Sequence, residues 1–277
     1  MLVLNKGLEK ELQEVCFPDL ENSEQETYLQ NHLKRIFYTF NSISKLKLAK
    51  KASIVDLGAK PYLLAYLVKK YSDFHFTGVG YSIKEIRGEK ANQAFYQKLP
   101  IISTELEMKY KDESYTFPMW QVNIESEKEP FSDKSFDLVV CTETVEHLLQ
   151  DPKFLLDEIY RILKPGGHLI FSVPNATYWG RILNLATGKN IDDPYSIHGP
   201  YARHNRNYTK KEVQEMIEKA GLKRVRLKSM NFTELKPSLK KKLIRGIGNT
   251  IFSLSNARLG KTIFGVFKKA HDKTDRY

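Results

Sequence analysis

The clearest periodic signal in the chain lies between residues 136 and 175, in the run FDLVVCTETVEHLLQDPKFLLDEIYRILKPGGHLIFSVPN. Residues 136–141 form a short apolar run, residues 142–144 are polar, and Phe154, Leu155, Ile159, Ile162 and Leu163 recur at helical spacing. A second apolar run follows at 168–173, after Pro165-Gly166-Gly167. The pattern predicts strand, polar turn, helix and strand, with the Pro-Gly-Gly triplet stopping the helix and turning the chain back into the sheet. Two apolar strands joined by one helix make a right-handed crossover in a parallel sheet covered on both faces. Function in such a sheet belongs at the carboxyl ends of the strands, where Thr142, Glu143, Glu146, His147, Pro174 and Asn175 fall.

The flanking segments extend this alternation. Residues 23–47 carry Tyr28, Leu29, Leu33, Ile36, Phe37, Phe40, Ile43 and Leu46 at a helical period behind a Ser23/Glu26 capping pair, and predict a long helix packed on the core. Residues 52–57 and 74–79 read as two further core strands, and residues 101–124 alternate around Asp112-Glu113-Ser114 as a hairpin-like insertion running into a third. Beyond Asn175 the pattern gives a helix at 176–185, the polar loop DDPYSIHGPYARHNRNYT, a helix at 209–220 with Thr209 and Glu212 as a capping box, and a strand at 222–228. That loop is rich in His, Tyr and Arg and too long for a mere connector, which marks it as functional.

Composition supports one large α/β core: 277 residues, 41% of them hydrophobic. The chain divides into an N-terminal helical cap (1–48), a core (49–232), and a basic amphipathic segment with a final strand (233–277). Its two cysteines, Cys16 and Cys141, stand far apart, so neither a disulfide framework nor a Cys-rich zinc site is indicated. No stretch approaches the roughly 20 apolar residues of a spanning helix, and the N-terminus lacks a long apolar region. The expectation is a cytoplasmic protein.

Charge changes the picture at one end. Formal net charge is +11, and residues 203–269 carry 18 Lys and Arg against 4 Glu and no Asp, leaving the remainder slightly acidic. Polyanions are therefore candidate partners for that third: nucleic acid, anionic lipid or a phosphate-bearing glycan intermediate. A plain solvated basic face explains the same charges equally well. Leu239, Leu243, Ile247, Ile251 and Leu254 line one side of a helix whose other side carries Lys240, Lys241, Lys242 and Arg245. Such a helix either lies on the inner face of an anionic membrane or packs on the core.

The ordered series FDLVVCTETVEHL, then DP, then RILKPGGHLIFSVPN resembles the second half of class I S-adenosylmethionine (SAM) dependent methyltransferases. With residues 52–81 the resemblance covers most of 50–230. The VDLGAKPY and RHNRNYT stretches are similar to members from bacterial surface-glycan (O-antigen type) biosynthesis clusters. The resemblance implies a doubly wound, mostly parallel seven-stranded Rossmann-like sheet with N-terminal helices and a C-terminal basic extension. It implies SAM as cofactor, and methyl transfer to an oxygen or nitrogen of a small-molecule or glycan acceptor, a sugar foremost. Asp56 and Gly58 match the family's acid-glycine loop, followed by Ala59, with Lys60 and Tyr62 standing where later glycines are usual. Gly80 occupies the place of the ribose-binding acid, so a charge-assisted hydrogen bond of about 1.5–3 kcal/mol is forgone unless Glu85 replaces it. Asn123, with Ile124 beside it, falls where the family reads adenine, and Thr142 lines the cleft.

The methyl group of SAM is already activated, so the protein must mainly place the acceptor in line and exclude water. A hydroxyl acceptor also needs a general base. His147 is the first candidate and His204 the second, with Glu143 at the same mouth of the sheet. On a helix Glu143, Glu146 and His147 would share one face and, with His198 or His204, could bind a divalent metal, a spacing that resembles the metal site of small-RNA 2′-O-methyltransferases. The metal-free reading leads, because E-x-x-E-H also occurs in small-molecule methyltransferases without metal. The alternatives are thus a metal-dependent RNA methyltransferase, with nucleic acid ranked behind a glycan, and a non-catalytic binding protein on the same fold.

Overall fold

The computed structural model describes residues 2–17, 22–60, 62–80, 101–195, 200–232 and 259–270. Its strands are β1 (Ser53–Leu57), β2 (His75–Val79), β3 (Ile102–Tyr110), β4 (Glu113–Gln121), β5 (Phe136–Thr142), β6 (Leu163–Pro174), β7 (Leu222–Met230) and β8 (Thr262–Lys269). They form one sheet in the order β3-β4-β2-β1-β5-β6-β8-β7. Neighbours from β4 to β6 pair in parallel, whereas β3 pairs antiparallel with β4, and β8 pairs antiparallel with both β6 and β7.

The sheet is therefore mixed and eight-stranded, which corrects the expected seven strands. The additional strand is β3, an edge made by the 101–124 insertion: Lys111, at φ 52°, supplies the positive dihedral that a two-residue hairpin turn requires.

Successive residues of the central strands face opposite layers, as the two-residue repeat of a strand demands. Ile54, Leu138, Val140 and Ile170 join one apolar cluster with α1 (Lys6–Glu14), α2 (Asn22–Ser44) and α3 (Leu63–Tyr71). Val55, Val139, Cys141 and Leu169 join the other with α4 (Lys153–Ile162) and α6 (Lys210–Lys219). Among the described residues the remaining α-helix, α5 (Trp179–Ala186), follows β6.

Local departures from the periodic reading have tertiary causes. In α4 it is Leu155, Leu156, Ile159 and Ile162 that are buried, while Phe154 is 36% exposed. Leu163 already pairs with Phe136, so Pro165-Gly166-Gly167 lies inside β6 as an irregularity, with Gly166 at φ 79°, and is not a turn ahead of the strand. α5 begins at Trp179, behind a turn in which Ala176 N donates to Tyr208 O at 2.8 Å and Tyr178 N to Asn175 O at 3.1 Å. The basic segment at 239–254, Glu85 and His198 lie outside the described residues. Among the described residues no helix is long and apolar enough to cross a membrane.

Candidate active site

The turns after β1, β2, β4, β5 and β6 all emerge at one edge of the sheet because those strands are parallel. After β1, Gly58 N and Ala59 N both donate to Val79 O, at 2.9 and 3.1 Å, which fastens the glycine turn to the end of β2. Gly58 has φ +89°, and a Cβ there would stand 2.3 Å from Thr144 Oγ1, so only glycine fits. Thr144 Oγ1 in turn donates to Leu57 O at 3.1 Å, tying the turn after β5 to the end of β1. Gly80 N donates to Trp120 O at 3.0 Å, and a Cβ on Gly80 would meet nothing closer than Met119 Cε at 3.4 Å.

Helix α2 lies across this edge. Its Arg35, 5% exposed, donates from Nη1 to Thr142 Oγ1 at 3.3 Å and from Nη2 to Tyr28 OH at 3.1 Å, while its buried Nε has no hydrogen-bond partner among the described residues. A narrow cavity of about 20 Å³ remains between Tyr28, Arg35, Asp56, Gly58, Lys60 and Thr142. Burial raises the Asp56 carboxyl to about 7, with Arg35 pulling in the opposite direction. Burial works against the charge of Arg35, but Tyr28, Glu143 and Glu146 more than offset it, and its pKa is raised.

Beside the cavity sits a second group of titratable side chains. Glu143 has φ 53°, and its Oε1 accepts from Ser172 Oγ at 2.8 Å. Val145–His147 is a single 3₁₀ turn. The expected helical face of Glu143, Glu146 and His147 therefore does not form, because the positive φ turns Glu143 away toward β6. Ligand atoms of Glu146, His147 and His204 nevertheless lie within 4.8 Å of one another.

Glu146 is 1% exposed, and among the described residues neither carboxylate oxygen accepts a hydrogen bond from another residue; burial and then Glu143 push its pKa well above the carboxylate range. His147 Nδ1 lies 2.9 Å from Arg203 O, a carbonyl that can only accept, so Nδ1 carries the proton and Nε2 keeps its lone pair. The His147 and His204 rings are 4.9 Å apart and edge to face. Burial lowers both imidazole pKa values, and each is lowered or raised further by its neighbours: His147 lowers His204, while Arg203 O raises His147.

The loop ahead of α6 is clamped to this turn. Asn205 N donates to Glu146 O at 2.7 Å and Asn205 Nδ2 to His147 O at 2.8 Å. Asn175, expected at the functional edge, is fully buried and structural: its Nδ2 donates to Gly260 O and its N to Lys261 O, both at 2.8 Å.

Other expected residues stand further from the cavity. Tyr62 is 1% exposed, with its ring 5.6 Å from Phe117 in the core. Asn123 Oδ1 accepts from Glu125 N at 3.1 Å in the turn after β4, and Ile124 packs on the second apolar cluster. A wider cleft of about 830 Å³, between α4, α6 and the outer side of residues 203–208, contains none of the glycine-turn residues.

Tyr28 stands in the helical period of α2, but periodicity missed the polar contributions of that helix, His32 and Arg35. His32 is held to about 3 by burial, then by Arg35, Lys261 and His204. The signal was present as a second stripe, Tyr28, His32, Arg35, Thr39 and Ser42, spaced four and three residues apart beside the apolar one.

The sequence matches a family described as a methyltransferase domain over residues 24–227, about three quarters of the chain. The chain belongs to that family. The methyltransferase is 30% identical over 104 residues to the ubiquinone biosynthesis O-methyltransferase of Idiomarina loihiensis, which is 37% of this chain and 41% of the relative. It is 44% identical over 69 residues to a thiol S-methyltransferase of Rattus norvegicus, 22% and 28% of the two chains. The chain thus spans less than half the length of these curated relatives. Among solved structures it resembles a chain from the complex of the Haloferax volcanii Trm112 methyltransferase activator with a methyltransferase (TM-score 0.56, 18% identity, 89% and 93% of the chains). It also resembles a SAM-dependent methyltransferase from Archaeoglobus fulgidus (TM-score 0.51, 16% identity, 88% and 99%). At these identities the structural likeness establishes the fold alone. A further relative, 33% identical over 92 residues (33% of this chain and 30% of the relative), is named a probable S-adenosylmethionine-dependent methyltransferase of Mycolicibacterium smegmatis.

Proposed function

We propose that the methyltransferase acts on an oxygen of a small-molecule or glycan acceptor, a sugar foremost, held between the turn 143–147 and the loop 203–208. The observation that carries this reading is the pair of imidazoles His147 and His204, kept neutral by burial and 4.9 Å apart at the mouth of the cleft. Bound SAM supplies a methyl group already activated by the sulfonium. The chain's own work is then to orient, to exclude water and to receive a proton. His147 Nε2, with its lone pair fixed by the Nδ1 hydrogen bond to Arg203 O, accepts the proton of the acceptor hydroxyl, and His204 is its neighbour in the relay. Glu143, held by Ser172, contributes negative charge nearby.

The cofactor end fits SAM in chemistry. Asp56 offers a buried carboxyl to the ammonium group, the unpartnered Nε of Arg35 suits the carboxylate, and Gly58-Ala59 permits close backbone approach. Lys60 and Thr142 line the same cavity, and Asn123 and Ile124 are assigned to the adenine end. Gly80 stands where the family places its ribose-binding acid, and Tyr62 supports the turn from the core. The cavity of about 20 Å³ is far below the roughly 300 Å³ at which ligand pockets begin, so α2 must draw back for entry. The decisive experiment titrates SAM into the protein and then assays sugar, phenol and thiol acceptors. Turnover lost in His147→Gln with SAM affinity preserved supports the reading, and undiminished turnover defeats it.

A second reading is favoured by Glu146. A buried carboxylate without a hydrogen bond is costly, and two imidazoles with ligand atoms within 4.8 Å are the partners a divalent ion would share with it. Glu146, His147 and His204 would be the ligands, with Glu143 engaged by Ser172 instead. Loss of activity in EDTA with recovery in Mg²⁺ or Mn²⁺ would select this reading, and with it an RNA or metal-bound hydroxyl acceptor. Cytoplasmic action is part of the proposal, as is peripheral contact with anionic membrane.

A further inference from the structure

One buried carboxyl outside the site described so far is tied to both of its ends. Glu125 stands in the turn after β4 and is 5% exposed. Its backbone N donates to Asn123 Oδ1 at 3.1 Å, so its place is set by the side chain assigned above to the adenine of SAM. Its own Oε1 accepts from Leu149 N at 2.7 Å, 24 residues further along the chain. Leu149 lies two residues beyond His147. Burial and then Glu125 raise the Tyr201 hydroxyl to about 12, so the same carboxyl also acts on the loop ahead of His204.

The turn that carries Glu146 and His147 is thereby held from three directions. Thr144 Oγ1 ties its start to Leu57 O of β1, and Asn205 binds the carbonyls of Glu146 and His147 from the loop. Glu125 grips the far end from the turn after β4. Burial raises the Glu125 carboxyl, with the N–H groups of Leu149 and Gln150 pulling it down, and its buried Oε2 has no hydrogen-bond partner among the described residues. An apolar residue in its place would spare that cost, and a buried group left half-satisfied calls for a reason beyond packing. The reason is what its one strong bond fixes, since a carboxylate binds a backbone N–H more tightly than a neutral acceptor does.

We propose that Glu125 is a positioning residue that couples the two ends of the site: adenine seated at Asn123 fixes Glu125, and Glu125 fixes the turn that presents His147 to the acceptor. The side-chain oxygen of Asn has two lone pairs, so Asn123 Oδ1 accepts from adenine and from Glu125 N together. Coupling of this kind is reciprocal, and order in the turn favours the cofactor in return. The proposal rests on the placement of adenine and acceptor given above.

The test is hydrogen–deuterium exchange of the full chain with and without adenosine, which carries the adenine of SAM and lacks the sulfonium arm. In the wild type adenosine should slow exchange at residues 123–125, and at 145–149 by about fivefold or more. In Glu125→Ala only 123–125 should respond. Glu125→Gln keeps a carbonyl oxygen for Leu149 N and should restore the response at 145–149. With the sugar, phenol or thiol acceptor that turns over, Glu125→Ala should lower kcat by about tenfold or more, with a smaller change in the Kd for SAM, and Glu125→Gln should recover most of it. Protection of 123–125 without 145–149 in the wild type overturns the proposal and leaves the cofactor placement standing, whereas protection of neither overturns both. That comparison needs no variant, so an unfolded Glu125→Ala protein would not shield the proposal. Coupling that persists in Glu125→Ala, or equal losses in the alanine and glutamine variants, overturns it too, because the carboxyl would then serve the fold alone.

Discussion

At the scale of single residues the proposed cofactor end turns on Asp56 and Arg35, which line one small cavity. Burial raises Asp56 from 3.8 to about 7, so the neutral carboxyl is favoured in the folded protein; that contribution to stability is complete below 3.8 and lost as pH rises through about 7. Pairing with the ammonium of SAM requires the proton to leave. SAM affinity should therefore fall by up to about tenfold per pH unit below that value, and calorimetry in buffers of different ionisation enthalpy should register proton release. His32 has the opposite sign. Its pKa falls from 6.5 to about 3, so its contribution is present above 6.5 and lost as pH drops toward 3. His32→Gln should flatten the decline in melting temperature over that window. Gly58→Ala places a methyl against Thr144 at a positive φ. It should abolish measurable SAM binding, and a SAM titration of the variant checks this. A motif marks Asp56 and Gly58 in the sequence, and both line the small cavity. Arg35 and His32 have no such mark, because an apolar stripe on α2 reports which side faces the core and is silent about the polar stripe beside it.

At the scale of elements, α6 supports the loop proposed to meet the acceptor. Thr209 accepts from Glu212 N at 3.2 Å while Glu212 Oε2 accepts from Thr209 N at 2.7 Å, a closed capping box. Thr209→Ala should cost about 1 kcal/mol of stability, measurable by urea unfolding. Because Tyr208 and Asn205 sit just ahead of that cap, the same change should raise the KM for the acceptor more than the Kd for SAM. The capping box, the 101–124 hairpin and helix α4 were readable because each is fixed by neighbours in sequence. The 143–147 turn was not. Its helical spacing is real in the sequence, but the bond from Ser172, a residue of the next strand, holds Glu143 in a conformation no local pattern encodes.

For the whole molecule, parallel pairing from β4 to β6 gathers the functional turns at one edge, and that much follows from alternating strands and helices. The position of β8 does not follow from any local pattern. It comes after β7 in sequence yet lies between β6 and β7, nearly all of it buried. During synthesis, then, β7 emerges from the ribosome with no neighbour to accept it, and β6 keeps an open apolar edge until residues 262–269 have been translated. The nascent chain must be shielded over that interval, since an unpaired edge is a template for aggregation. A premature stop ahead of residue 262 should yield inclusion bodies, where a loss of the same length from a peripheral strand would merely shorten the sheet. Solubility of stepwise C-terminal truncations, compared with the full chain, measures the difference, and the methyltransferase is a protein in which a strand made after its two neighbours decides whether they count.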